Sequence, residues 1–143
     1  MVFRHTPSWA IEQKDANLFA KAHEDFERLK VLAIKQDSVR IRQWQADTCL
    51  MLFRVYRKAE MLDEAVSMYE ELKTLANMYG NEDRMLERQA EAGMALAETY
   101  SEAGNIQESK ALLDEVEPVV KKLPDGLERL KRIAKLRQKL GMK

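Results

Sequence analysis

Histidine and cysteine are the residues best suited to catalysis or metal binding, and here their spacing serves neither. His5 and His23 are the only histidines, and neither sits in an HExxH or a Cys/His arrangement. Cys49 is the single cysteine, so no intramolecular disulfide is available. It falls within the apolar run CLMLF, where helical spacing makes it a core residue rather than a nucleophile. Carboxylates are plentiful, but on amphipathic helices they form solvated faces. There is no glycine-rich phosphate loop and no nucleophile elbow. The expectation is a non-enzymatic protein with no metal and no cofactor.

The elements that carry these residues are helices. Leu, Ala, Glu, Lys, Arg and Met are common, glycine (5) and proline (3) are scarce, and alternating β-branched runs are absent. A length of 143 residues, 45% hydrophobic, fits one domain able to hold its own core. Phe19, Ala22, Phe26, Leu29 and Ala33 form the buried stripe of a helix over 18–36. Before it, Thr6-Pro7 suggests a cap and Trp9 and Ala10 a short first helix, with a turn at Asp15-Ala16-Asn17. The alternative is one continuous helix over 8–36. Asp37-Ser38 can cap a helix over 39–59, with Ile41, Trp44, Thr48, Leu52, Tyr56 and Ala59 facing inward. Glu60-Met61-Leu62 makes a turn. The partner helix runs to about Tyr79 through Ala65, Val66, Tyr69, Leu72 and Ala76, and Gly80 stops it as a C′ glycine.

The next helix, over 82–103, carries Leu86, Ala90, Gly93, Ala97 and Tyr100 inward. Gly93 costs roughly 1 kcal/mol against alanine, which close helix contact would explain. Gly104-Asn105 turns the chain. Ile106, Leu113, Val116, Val120 and Leu123 continue an apolar stripe across Pro118, so a kink, or a helix end and restart, is expected near 114–118. Asp125 and Glu128 have the spacing of a capping box. A last helix over 126–140 shows Leu130, Ile133, Leu136 and Leu140 on one face, as a helix covering the end of a repeat stack would.

The pattern Ala-x3-aromatic-x2-Leu occurs at Ala22, Phe26 and Leu29, again at Ala65, Tyr69 and Leu72, and in weaker form at Ser109, Leu113 and Val116. The copies are 43 and 44 residues apart. Leu52 and Tyr56 match Leu96 and Tyr100, also 44 apart. Two sets of positions with one period indicate a repeated two-helix unit. Repeats fall at about 6–36, 39–80 and 82–123, within a single helical-repeat domain spanning 1–143.

LFRVYRKAEMLDEAVSMYEEL and LAETYSEAGNIQESKALLDEV resemble tetratricopeptide repeats, through Tyr56, Ala65 and Tyr69 in the first and Ala97, Tyr100 and Gly104 in the second. They depart from that family's period of roughly 34 residues by a turn or more per helix. Glu60 stands for the turn glycine, Ser109 for the small alanine, and the early Trp is absent. The resemblance implies an all-α fold, an α-α superhelix (solenoid) of antiparallel helical hairpins with a C-terminal capping helix. It further implies a concave groove lined by first helices, facing Asp47, Leu50, Arg54 and Arg57 on one and Glu91, Met94, Glu98 and Glu102 on the next. Such a groove would hold a protein or peptide partner, with Arg54 and Arg57 meeting anions and Leu50 and Met94 apolar groups. The Lys/Asn clamp for chaperone carboxyl tails is not reproduced, since Leu50 and Arg54 occupy its positions.

Formal charge is zero overall but alternates along the chain. Residues 39–59 hold five Lys/Arg and one Asp, net +4; residues 81–103 hold two Arg and six Asp/Glu, net −4. Residues 127–143 hold seven Lys/Arg and one Glu, net +6. Neighbouring helices pairing their surfaces would explain this, at roughly 0–1 kcal/mol per pair. A mixed-sign groove selecting a charged peptide is the functional reading. The basic end (Arg129, Lys131, Arg132, Lys135, Arg137, Lys139, Lys143) offers an alternative, a regulatory or nucleic-acid-associated domain, but it lacks aromatics to stack on bases. Self-association into a homo-oligomer is a third reading. No stretch is apolar enough to span a membrane, and the first residues lack a signal-peptide core, so a cytoplasmic protein is expected, with an internal piece of a larger protein as the alternative.

Overall fold

The computed structural model describes residues 8–36, 38–80 and 82–141, with side chains from Ala20 onward. Six helices follow one another: α1 (Ser8–Gln36), α2 (Val39–Lys58), α3 (Leu62–Met78), α4 (Asp83–Glu102), α5 (Ile106–Lys121) and α6 (Leu127–Gly141). The described residues are otherwise turns and short connections. Each helix packs on the next, and α2 with α4, and α4 with α6, pack as well.

The turns of the hairpins α2–α3 and α4–α5 share their geometry at a shift of 44 residues. In the first, Glu60 takes a left-handed φ of 61°, and in the second Gly104 takes 82°. The Met61 N–H donates to the Tyr56 carbonyl (2.8 Å) and the Glu60 N–H to the Arg57 carbonyl (3.1 Å). Likewise the Asn105 N–H donates to Tyr100 (2.8 Å) and the Gly104 N–H to Ser101 (3.1 Å). This is the Schellman arrangement, which satisfies carbonyls left over at a helix end. Both second helices run back along the first. Cys49 meets Met68, and Ala97 accepts a 2.7 Å bond from the Ser109 hydroxyl. The odd-numbered helices repeat a contact of their own. Lys30 pairs with Glu71 at 3.2 Å, and Lys73, 43 residues on, pairs with Glu115, 44 residues on, at 3.0 Å.

One core runs through the stack. Phe26, Leu52, Phe53, Tyr69, Leu72, Met85, Leu96, Leu113, Val116, Val120 and Ile133 are fully buried. Gly93 is where α4 comes closest to its neighbours, since a Cβ there would lie 2.3 Å from Val116 Cγ2 and 3.0 Å from Tyr69 Cε1. The Tyr69 hydroxyl donates to Glu115 Oε1 (2.7 Å) and accepts from Gln89 Nε2 (3.3 Å), tying α3, α4 and α5 together.

Several expectations are corrected. No turn interrupts α1 at Asp15-Ala16-Asn17. That triplet holds no glycine or proline, and alanine favours continuation. Among the described residues there are therefore six helices including the last, where six plus one were expected. Pro118 lies inside α5 without ending it. It is exposed, so the Asp114 carbonyl that loses its donor faces water. The first bond of α6 runs from the Leu130 N–H to the Gly126 carbonyl (2.9 Å), so Gly126 holds the cap position and Asp125 and Glu128 form no capping box. α3 does end at Tyr79 with Gly80 at C′, but Gly80 does not take the positive φ of a left-handed cap. Trp44 was placed inward by spacing and instead stands 48% exposed, because the buried stripe of α2 is centred on Gln45, Ala46, Cys49, Leu52, Phe53 and Tyr56. Thr6-Pro7, Asp37, Asn81, Lys143 and the side chains of Trp9, Ala10 and Phe19 lie outside the described residues.

Candidate functional site

The eight residues assigned to the groove divide into three groups. Leu50 (4% exposed) and Met94 (3%) are core residues, so neither is presented to a partner. Five more are used between helices. Asp47 accepts from Arg84 (2.8 Å) and Arg88 (2.9 Å). Arg54 pairs with Glu91, and the Arg57 Nε–H donates to the Thr99 hydroxyl at 2.9 Å. Glu98 pairs with Arg132 at 3.2 Å. The eighth, Glu102, has no ion partner among the described residues.

These contacts match the charge alternation in part. Between basic α2 and acidic α4 the pair Arg54–Glu91 follows it, whereas Asp47 takes Arg84 and Arg88 against it and Arg57 meets a neutral hydroxyl; the acidic α4 and basic α6 meet through Glu87–Arg129 (3.9 Å) and Glu98–Arg132. Arg137 of α6 is held by Asp114 (2.8 Å) and Glu117 (2.7 Å) of α5. The Arg137 guanidinium holds the Glu117 carboxyl below its ordinary range. Three arginines of the basic end are thus taken up by α4 and α5. Exposed pairs of this kind contribute little singly, about 0–1 kcal/mol each, but they fix how neighbouring helices line up.

Pairing stops where α4 and α6 end. There the two helices bound a cleft of about 610 Å³, with Glu98, Ser101 and Glu102 on one side and Arg132, Lys135, Leu136 and Lys139 on the other. Lys135 and Lys139 are four apart on α6 and so share a face. Like Glu102 opposite them, they have no ion partner among the described residues. Ser101 lines the same cleft, is 2% exposed, and its hydroxyl oxygen meets no hydrogen-bonding group. Its oxygen is itself closed off from the surface, so the groups the cleft presents are one carboxylate and two ammonium groups around an apolar side chain. That set suits recognition by charge and hydrogen bonding.

Glu98 and Glu102, assigned by sequence to a groove, and Lys135 and Lys139, assigned to the basic end, all line this cleft. Ser101 was missed. Its signal was a polar residue four after Ala97, on the inward stripe of α4. Cys49 is fully buried, its thiol donating to the Met68 carbonyl (3.0 Å), and burial first of all pushes that thiol well above its ordinary value. It is not a nucleophile in the folded chain. Among the described residues no three His, Cys, Asp or Glu side chains could hold a metal ion, and no helix is long and apolar enough to cross a membrane.

Comparison with protein-family models, with curated proteins and with solved structures finds no match.

Proposed function

We propose that the chain is a non-enzymatic helical-repeat binding module, a solenoid of tetratricopeptide type, that holds a segment of a partner protein in the cleft between α4 and α6. The repeat reading is supported by the two Schellman hairpins 44 residues apart and by the Lys30–Glu71 and Lys73–Glu115 pairs. The binding reading rests on one observation, the cleft in which Glu102, Lys135 and Lys139 have no ion partner among the described residues while the bordering Glu98 and Arg132 pair with each other. A segment carrying an acidic group toward Lys135 and Lys139 and a basic group toward Glu102 fits it.

Selection from a displayed random-peptide library, followed by fluorescence anisotropy of the enriched peptides, tests this. Enriched peptides should carry both signs of charge. Lys135→Glu/Lys139→Glu should weaken them at least tenfold with an unchanged circular dichroism spectrum. Equal binding by wild type and double variant, or no enrichment at all, would refute the cleft reading.

A further inference from the structure

The α2–α3 turn and the α4–α6 cleft leave opposite charges unpaired at the same end of the molecule. The contacts Asp47–Arg84, Arg54–Glu91 and Arg57–Thr99 advance together along α2 and α4, so these helices run parallel. Glu87–Arg129 and Glu98–Arg132 advance together along α4 and α6 in the same way. The C-terminal ends of α2, α4 and α6 therefore share one end of the stack. The turn follows the first of them, and the cleft opens between the other two.

Three charges mark the turn. Lys58, Glu60 and Asp63 are exposed and have no ion partner among the described residues. The fold does not require them. One repeat on, Glu60 corresponds to Gly104 and Asp63 to Gln107, yet both turns make the same backbone bonds. Glu60 holds a left-handed φ of 61°, which glycine adopts more freely, so a carboxylate is kept there against the preference of the backbone. The cleft presents the matching set, with Lys135 and Lys139 on one side and Glu102 on the other.

We infer that the occupant of the cleft is the α2–α3 turn of a second copy of this chain, with Glu60 and Asp63 set on Lys135 and Lys139 and Lys58 set on Glu102. This rests on the cleft reading above and names its partner. Charge selects the occupant, since the α4–α5 turn lacks both the base and the two acids at these places. Because turn and cleft lie at one end of the stack, a twofold axis there serves both contacts at once. Each copy gives its turn and receives the other's, and the assembly closes as a dimer. Exposed charges are screened by salt, so the dimer weakens as ionic strength rises.

Sedimentation equilibrium of the full chain tests this with two charge-reversed variants, Lys135→Glu/Lys139→Glu and Glu60→Lys/Asp63→Lys. Wild type should reach twice its monomer mass as concentration rises. Each variant alone sets like charge on like at both contacts, and its dimer Kd should be at least tenfold weaker with an unchanged circular dichroism spectrum. An equimolar mixture of the two variants sets acid on base at both contacts and should recover the wild-type Kd. A dimer indifferent to both variants, or a mixture no tighter than its parts, would overturn the inference. A wild type that stays monomeric but takes library peptides in the cleft would overturn the second copy alone and leave the cleft reading standing.

Discussion

Replacing Glu60 with glycine should stabilise the chain, and replacing Gly104 with alanine should destabilise it by a similar amount. The two residues hold the same place in equivalent turns, with φ of 61° and 82°. A side chain in the left-handed region costs about 1–2 kcal/mol, which Glu60 bears and Gly104 avoids. Glycine returns part of this, because it loses about 0.5–1 kcal/mol more backbone freedom on folding. The net is about 0.5–1 kcal/mol in each direction. Space does not enter, since a Cβ at Gly104 would meet nothing within 4 Å and Glu60 is exposed. At about 2.1 cal/mol/K per residue, 143 residues give an unfolding entropy near 0.3 kcal/mol/K, so each change moves Tm by about 2–3 °C. Calorimetric melts of the two single variants and of the double variant would measure this, the double variant melting close to wild type. If Glu60→Gly lowers Tm, or Gly104→Ala leaves it unchanged, the turns are not equivalent and the backbone reasoning is wrong.

Gly93→Ala should destabilise by about 1 kcal/mol in urea unfolding: overpacking against Val116 and Tyr69 costs about 1–3 kcal/mol, and the gain in helix propensity returns about 1. Combined with Val116→Ala it should show a favourable coupling energy, and simple additivity would remove the close-contact explanation. Cys49 should react with a thiol reagent only as fast as the chain unfolds, so rapid modification of the folded protein would contradict its burial. Glu117 titrates below its ordinary value of 4.5 when folded, because the Arg137 guanidinium donates to it. Its contribution to stability is therefore present above that ordinary value and lost as pH falls through the lowered one. In Arg137→Gln, NMR titration should return Glu117 toward the ordinary value and the acid-side loss of stability should shrink; no change in either would sever the link.

Much of the helical arrangement was legible because it depends on local chemistry. Gly104-Asn105 marks its turn by residue type, and the 44-residue offset of Tyr56 and Tyr100 matches the two equivalent turns that follow them at Glu60 and Gly104. Gly93 announced close packing, since nothing else justifies a glycine in mid-helix. What was not legible lies between helices rather than along them. Periodicity tells which side of α2 is apolar, but not that Arg54 will spend its charge on Glu91 or Asp47 its own on two arginines. Trp44 was misplaced because a large aromatic beside the stripe reads as core, while the buried face of α2 is centred on Gln45, Ala46, Cys49, Leu52, Phe53 and Tyr56. Ser101 gave the weakest signal, because a buried serine in a helix ordinarily finds a carbonyl, and only the folded chain shows that this one does not.

The most direct test of the binding-module account is an amide chemical-shift map of the ¹⁵N-labelled chain titrated with the highest-affinity library peptide. The account expects saturating shifts concentrated at Glu98, Ser101, Glu102, Lys135 and Lys139, with α1 and α3 unmoved. Shifts confined to other surfaces, or spread evenly without saturation, would contradict the assignment of the α4–α6 cleft as the binding site.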